Sequence, residues 1–350
     1  IPAFEEKLCN YTGTKYSVAV NSCTSALHIA CLALNLGPGD ILWTSPISFV
    51  ASANCALYCG ASVDFVDVDP DTALMSVDAL ESKLEQAKHQ GKLPKIVIPV
   101  HLAGQSCDMK AISKLGEKYN FRIIEDAAHA IGASYLNKNV GSCQYSDITV
   151  FSFHPVKVIT TGEGGAALTN NLEVAKKMQL LRSHGITRDS KEMTNSIVSD
   201  WYYEQISLGF NYRMTDFQAA LGISQLSRLD EYVAKRSKIA HWYDDQFENI
   251  PVNSLIQKES GESSYHLYVI RVKNREGERD RLYKYLRKGG IYVNLHYIPI
   301  YRQPFFNRKI RLLGAEEYYK SAISLPIFPT IGKNNLKKVM QKISEFYEHH

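Results

Sequence analysis

Residues 96–100 read Ile-Val-Ile-Pro-Val, with no polar residue among them. A strand with one wet face alternates apolar and polar side chains, so an unbroken apolar run marks a strand covered on both faces. Short apolar runs of this kind predict strands at 17–20, 41–44, 62–68, 95–100, 121–125, 148–153 and 166–169. Helical patterns lie between them at 24–36, 49–58 and 109–119. Gly37-Pro38-Gly39 closes the first of these and Gly60 the second, as expected of residues that end a helix. Alternating strand and helix implies an α/β fold built on a large, mostly parallel seven-stranded sheet with helices on both sides.

The pattern changes near residue 221. One long helix is expected from there through 247, followed by a strand at 265–272, a helix at 280–288, a strand at 292–296 and an amphipathic helix at 335–347. The 350 residues exceed one usual domain. The expected division is a large α/β domain, 1–226, and a smaller C-terminal α+β domain, 227–350.

Composition excludes several classes. The 40 basic residues are balanced by 36 acidic ones, and no dense Lys/Arg block interleaves with aromatics, so nucleic acid is not an expected partner. The most apolar stretch, 16–36, is interrupted by Asn21, Ser22, Thr24, Ser25 and His28, which argues against a membrane span. The seven cysteines are odd in number and lack zinc-type spacing. They read as reduced thiols of a cytoplasmic protein, with no metal; Cys55 and Cys59 read as small buried apolar residues. The chain opens at Ile1-Pro2, without a signal peptide or an initiator Met, and a preceding segment is expected.

The chemistry begins at Ile123-Ile124-Glu125-Asp126. An apolar strand ending there puts Asp126 at the carboxyl edge of the sheet, where open α/β folds bind ligands. Further along, Ser152-Phe153-His154-Pro155-Val156-Lys157 follows another strand and precedes the glycine-rich turn Thr160-Thr161-Gly162-Glu163-Gly164-Gly165. A lysine and a carboxylate so placed suit pyridoxal phosphate. The amine bonds the aldehyde, and the acid keeps the pyridine nitrogen protonated, so that the ring accepts electrons when a C–H bond breaks. A desolvated lysine becomes nucleophilic. A surface lysine and a helix-capping aspartate are the plainer alternatives, and these residues alone leave both open.

Asn21-Ser22-Cys23-Thr24-Ser25-Ala26 carries a strand into a helix. Its free N–H groups and the Thr24 and Ser25 hydroxyls could seat a phosphate or simply cap the helix. Phe49, just past a strand end, could lie on a flat cofactor or belong to the core. His154 lacks a second ligand at metal spacing and reads as a packing residue. His28 reads as a core histidine. Trp201-Tyr202-Tyr203, in a polar loop, could cover the site or meet a partner.

Taken together, these segments resemble the DegT/DnrJ/EryC1/StrS sugar aminotransferases. The resemblance rests on Phe151-Ser152-Phe153-His154-Pro155-Val156-Lys157 with Ile159-Thr160-Thr161-Gly162-Glu163-Gly164-Gly165-Ala166, and on Glu125-Asp126-Ala127-Ala128-His129-Ala130. It extends through Arg182-Ser183-His184-Gly185 and Leu208-Gly209-Phe210-Asn211-Tyr212-Arg213-Met214-Thr215-Asp216. It spans the chain in order and implies a fold type I, pyridoxal-phosphate-dependent aminotransferase, with pyridoxamine phosphate formed in the half-reaction.

By the same resemblance Lys157 would be the Schiff-base lysine and Asp126 the partner of the ring nitrogen. Phe49 would lie on the ring face and His129 near the phenolic oxygen. Thr24, Ser25 and Ser152 would hold the phosphate, joined by Asn211 from the other subunit of a homodimer with shared active sites. His296, Tyr297 and Tyr301 are the implied contacts to a nucleotide sugar. Arg213 is either a contact to an anionic group or part of a structural ion pair. L-Glutamate is the implied amino donor.

Residues 44–50 and the segment His296-Tyr297-Ile298-Pro299-Ile300-Tyr301, followed by Gln303-Pro304, are similar to the branch of the family that serves pseudaminic acid biosynthesis. That likeness implies amination at C4 of a UDP-4-keto-6-deoxy-N-acetylhexosamine. Another UDP or dTDP keto sugar, another lysine-bound pyridoxal enzyme, and a regulatory protein that binds the cofactor without turnover are the alternatives. The family normally has a further helix and a short loop containing Thr, Gln and Gly before the position of Pro2. Some members replace the lysine with histidine and act as dehydratases; Lys157 points instead to amino transfer.

Overall fold

The computed structural model describes residues 1–195, 199–273, 277–306 and 309–349. Seven strands form the main sheet: β1 (Tyr16–Val20), β2 (Ile41–Thr44), β3 (Ser62–Phe65), β4 (Ile96–Ile98), β5 (Arg122–Asp126), β8 (Ile148–Ser152) and β9 (Gly165–Thr169). Between β5 and β8 lies a short hairpin, β6 (Ser134–Tyr135) with β7 (Lys138–Asn139). The strand order is β1-β9-β8-β5-β4-β2-β3. Only β9 runs against its neighbours; the pairs β8/β5, β5/β4, β4/β2 and β2/β3 are parallel. The expected seven-stranded, mostly parallel α/β sheet is what the chain builds.

The helices in this half are α1 (Pro2–Thr12), α2 (Cys23–Ala33), α3 (Ala51–Tyr58), α4 (Val77–Gln90), α5 (Met109–Tyr119), α6 (Leu172–Arg182) and α7 (Asp216–Leu226). Alternate residues show how both faces of the sheet are covered. Val18, Val20, Ile148, Val150 and Ala167 join a core with Ala26, Leu27 and Ala30 of α2. Ala19, Phe151, Ala166 and Leu168 face the other way, toward Phe4 and Leu8 of α1 and Ala219 and Leu226 of α7. The side-chain period of two sends neighbours to opposite faces, and because both faces are dry the strands need no polar alternation.

The remainder holds α8 (Leu229–Phe247), α9 (Glu278–Lys288), α10 (Leu313–Ser321) and α11 (Lys333–His349). After the short pair β10 (Ile186–Thr187) and β11 (Glu204–Gln205), an antiparallel sheet is made by β12 (Val252–Ser254), β13 (Tyr268–Val272) and β14 (Ala322–Leu325). Its own core contains Tyr243, Phe247, Ile270, Leu282, Ile323 and Ile343.

The strands expected at 95–100 and 265–272 shorten to Ile96–Ile98 and Tyr268–Val272, and three further expectations change. The long helix from 221 is two helices, α7 and α8. The break falls where Ser227 turns its hydroxyl back to the Ser224 carbonyl, 2.8 Å, a local bond that competes with the helical ladder. Residues 292–296 form only an isolated bridge, Asn294 to Ser324, because the Asn294 side chain itself accepts the Leu295 N–H at 2.8 Å. The expected strand 62–68 stops at Phe65, and Asp67 beyond it accepts the N–H groups of Gly314 and Ala315, each at 2.9 Å. Among the described residues, no helix is long and apolar enough to cross a membrane.

Candidate active site

The carboxyl ends of β1, β2, β5 and β8, together with the start of the reversed strand β9, converge on one edge of the sheet. A cavity of about 380 Å³ opens there, and Lys157, Asp126, Phe49, Thr24, Ser152 and Tyr297 are among the residues that line it. The loop after β8 brings Lys157 in. Its backbone N–H reaches the His154 carbonyl at 2.9 Å, and the Phe153 carbonyl accepts the Thr161 N–H at 3.0 Å. The glycines that follow are needed for close approach: a Cβ on Gly165 would stand 2.5 Å from the Cys23 nitrogen, and one on Gly164 2.1 Å from the Thr161 hydroxyl. Strand β9 can therefore start directly beneath the first turn of α2.

Asp126 is buried. One carboxylate oxygen accepts the Ser52 hydroxyl at 2.6 Å and the other the Ala128 N–H at 3.1 Å. Burial holds the Lys157 ammonium below the usual lysine range, while Cys23 and Asp126 push the other way. Loss of the water that would solvate the charged form favours the neutral, nucleophilic amine. The amine and the carboxylate thus share a cavity and sense each other's charge.

Helix α2 begins at this cavity. Its N-cap is Ser22, whose hydroxyl oxygen accepts the Ser25 N–H at 3.1 Å. Ser22, Cys23 and Thr24 line the cavity, and the first-turn amides carry the positive end of the helix. Ser25 is spent differently: its hydroxyl donates to the Asn21 side chain at 2.7 Å and the residue does not line the cavity, whereas Ser22, Thr24 and Ser152 do. Phe49 is 60% exposed, with its ring 6.4 Å from that of Tyr297. A flat ligand can lie against it.

Besides Ser25, five expected site residues do not line the cavity: His129, Asn211, Arg213, His296 and Tyr301. His129 is buried and does not line the cavity. Its Nδ1 accepts the Ala103 N–H at 3.3 Å, which leaves the proton on Nε2, 3.2 Å from the Tyr297 hydroxyl oxygen. Burial, then Lys157, His266 and His296, hold its pKa well below the usual range, so the ring is neutral. Tyr297 stands between it and the cavity. Tyr301 is buried in the core, its ring 6.0 Å from Phe65 and its hydroxyl 2.8 Å from Glu316; it does not reach the cavity. Asn211 is exposed, bridged through its backbone to Ser183. Arg213 is exposed too and donates to the Ser183 hydroxyl at 3.2 Å.

His296 sits behind Tyr297, with its ring bonded to the Ser324 hydroxyl at 2.8 Å. Burial, assisted by Lys157, lowers its pKa to about 4. His154, expected to pack, is instead at the exposed rim, 3.6 Å from Glu163. His28 is a core histidine as expected, held by the Tyr212 hydroxyl at 3.1 Å. Sequence reasoning missed Ser22 and Ser52. The N-cap position marks the first; for the second, the only signal was a serine four residues from Ser48 on the segment that carries Phe49.

The donor set fits pyridoxal phosphate: an amine of lowered pKa, a buried carboxylate with acceptor capacity left over, a helix N-terminus and an exposed aromatic face. The same conclusion comes from similarity. The profile of the DegT/DnrJ/EryC1/StrS aminotransferase family matches residues 1–344. The UDP-4-amino-4,6-dideoxy-N-acetyl-beta-L-altrosamine transaminase of Campylobacter jejuni is 38% identical over 359 residues, covering 99% of this chain and 91% of its own. The structure of PseC from Helicobacter pylori, an aminotransferase involved in the biosynthesis of pseudoaminic acid, superposes with a TM-score of 0.89 at 32% identity, over 100% of this chain and 91% of that one. The PLP-form of a putative sugar aminotransferase from Streptococcus pneumoniae gives 0.87 at 29% identity, over 99% and 91%. A profile match over nearly the whole length, with this cavity at its centre, establishes that the chain belongs to the DegT/DnrJ/EryC1/StrS aminotransferase family.

Proposed function

We infer that this nucleotide-sugar aminotransferase moves an amino group from L-glutamate to C4 of a UDP-4-keto-6-deoxy-N-acetylhexosamine with the L-altro configuration, a step toward pseudaminic acid. The observation that carries the reading is that Lys157 and Asp126 line one cavity, in a chain 38% identical to a transaminase named for that sugar.

The residues divide the work. Lys157 would hold the cofactor covalently. Once freed, its amine would take the proton from the donor's α-carbon and pass it on to the cofactor, then deliver a proton to C4 of the sugar in the second half of the cycle; burial favours its neutral form, the one able to accept a proton. Pyridoxal phosphate, when bound, supplies the electron sink that makes the α-proton removable. Asp126 would face the ring nitrogen, Phe49 the ring, and Ser22, Thr24 and Ser152, with the amides of α2, the phosphate. Tyr297 accepts a hydrogen bond from neutral His129, and so keeps its own proton to donate into the cavity. His296 would support Tyr297 from behind.

The homodimer belongs to the same proposal. Leu208 is 78% and Phe217 91% exposed, on the stretch that also carries Asn211. Covering that apolar surface with a second copy would bring Asn211 to the neighbour's phosphate seat. A division at 226/227 into large and small domains is supported by the break between α7 and α8 and by the separate core of the β12–β14 sheet. The cytoplasm is the proposed location, on the reduced state of the thiols: all seven cysteines are free.

The test is an assay of purified protein with L-glutamate and a panel of UDP- and dTDP-linked keto sugars, read by mass spectrometry of the amino sugar. Turnover of the L-altro UDP sugar ahead of the others is expected. Turnover confined to a D-configured or dTDP sugar would transfer the chain to another branch of the family, and no amino sugar from any of them would defeat the reading.

A further inference from the structure

The two serines that bracket Phe49 form a buried chain ending on the key carboxylate. The Ser48 and Ser52 hydroxyl oxygens are 2.6 Å apart, and Ser52 Oγ is 2.6 Å from Asp126 Oδ2. Ser48 is 4% and Ser52 1% exposed, so water does not compete for either. A serine has one proton to give. Ser52 has three acceptors in reach, the Phe49 carbonyl at 3.3 Å, the Ser48 hydroxyl oxygen at 2.6 Å and Asp126 at 2.6 Å, and the carboxylate, the one charged acceptor among them, makes the strongest bond. With that proton committed to Asp126, Ser48 must donate to Ser52. The direction of the chain is thereby set: Ser48 to Ser52 to Asp126.

We propose that Ser52, backed by Ser48, is a positioning residue for Asp126 that fixes the carboxylate plane presented to the cofactor's ring nitrogen. The Ala128 N–H holds one oxygen and Ser52 the other, so the carboxylate cannot turn about its Cβ–Cγ bond without losing a charge-assisted bond in a dry site. Ser48 polarises Ser52 and strengthens its donation. One short segment, 48–52, thus presents both Phe49 to the ring face and Ser52 to the carboxylate. The proposal rests on the assignment of Asp126 to the ring nitrogen.

The experiment compares Ser52→Ala, Ser52→Thr, Ser48→Ala and Asp126→Asn in the full chain. The cofactor dissociation constant is measured by equilibrium dialysis, and the visible absorbance of the bound cofactor is titrated against pH. Ser52→Ala is expected to weaken cofactor binding about tenfold, the worth of a hydrogen bond to a charged group, and to move the midpoint of the absorbance titration. Ser52→Thr, which keeps the hydroxyl, restores both readouts. Ser48→Ala moves both in the same direction by less. Wild-type affinity and midpoint in Ser52→Ala overturn the proposal, as does failure of Ser52→Thr to restore them. If Ser52→Ala does not fold, unchanged readouts in Ser48→Ala overturn it equally. Should Asp126→Asn leave both readouts untouched, the ring-nitrogen assignment itself falls; should it alter them while Ser52→Ala does not, only the role of Ser52 falls.

Discussion

Glu125 and Asp126 are consecutive carboxylates at the end of one buried strand, and they do opposite jobs. Glu125 is saturated by the protein: one oxygen meets His101 Nε2 at 2.7 Å, and the other accepts the Thr149 hydroxyl at 2.9 Å and that of Ser146. Asp126 points to the other face, takes two donors and borders a cavity. Neighbouring positions on a strand face opposite ways, so a shift of one residue separates a structural anion from one with lone pairs left for a ligand. A buried charge is tolerated only when it is matched. Where the chain leaves the matching incomplete, a bound group is expected to complete it.

The contrast can be broken by mutation. Lys157→Ala, which removes the amine that shares the cavity with Asp126, should lower amino transfer by about a thousandfold or more, on the order of a lost general base, and abolish the visible absorbance of bound cofactor; retained absorbance with full turnover would remove Lys157 from the mechanism. Asp126→Asn should cost about a hundredfold in kcat, the order of a lost electrostatic stabiliser, while the denaturation midpoint of the apo-protein stays close to wild type. Glu125→Gln should do the reverse, costing about 2 kcal/mol of stability with near-normal kcat per folded molecule. If the two variants exchanged these phenotypes, the distinction between the carboxylates would be lost.

The smallest effect sharpens the picture on the histidine side. His296 titrates near 4 in the folded chain against 6.5 in a free histidine, so between those values the unfolded chain binds the proton first. Its contribution is fully present above pH 6.5 and is lost as pH falls toward 4. His129 and His266, lowered for the same reason of burial, act in the same direction. The urea midpoint should fall across this window, and His296→Gln should flatten the slope; an unchanged slope would show that His296 is not held neutral.

Much of the site was legible in the chain. The unbroken apolar runs, the acid at the end of one strand and the lysine before a glycine-rich turn all lie in local sequence, and local sequence carries strand period, turn chemistry and helix capping. What could not be read there are contacts whose partner is distant in the chain. Ser52 lies 74 positions from Asp126, and the Tyr297 hydroxyl lies 168 positions from His129; neither pairing has a signature in spacing. Tyr301 shares an aromatic segment with Tyr297, yet one side chain turns to buried Glu316 and the other to the cavity.

The amino-acid sequence by itself determined the α/β architecture, the family and the positions of the lysine and the aspartate, because these follow from hydrophobic period and from short motifs a few residues long. Only the tertiary structure decided which hydroxyl-bearing residues line the cavity, that His129 meets Tyr297 instead of the cavity, and that Asp126 is held by Ser52. Those outcomes depend on distances between remote segments, set by how the strands are ordered in the sheet and how the helices pack across it.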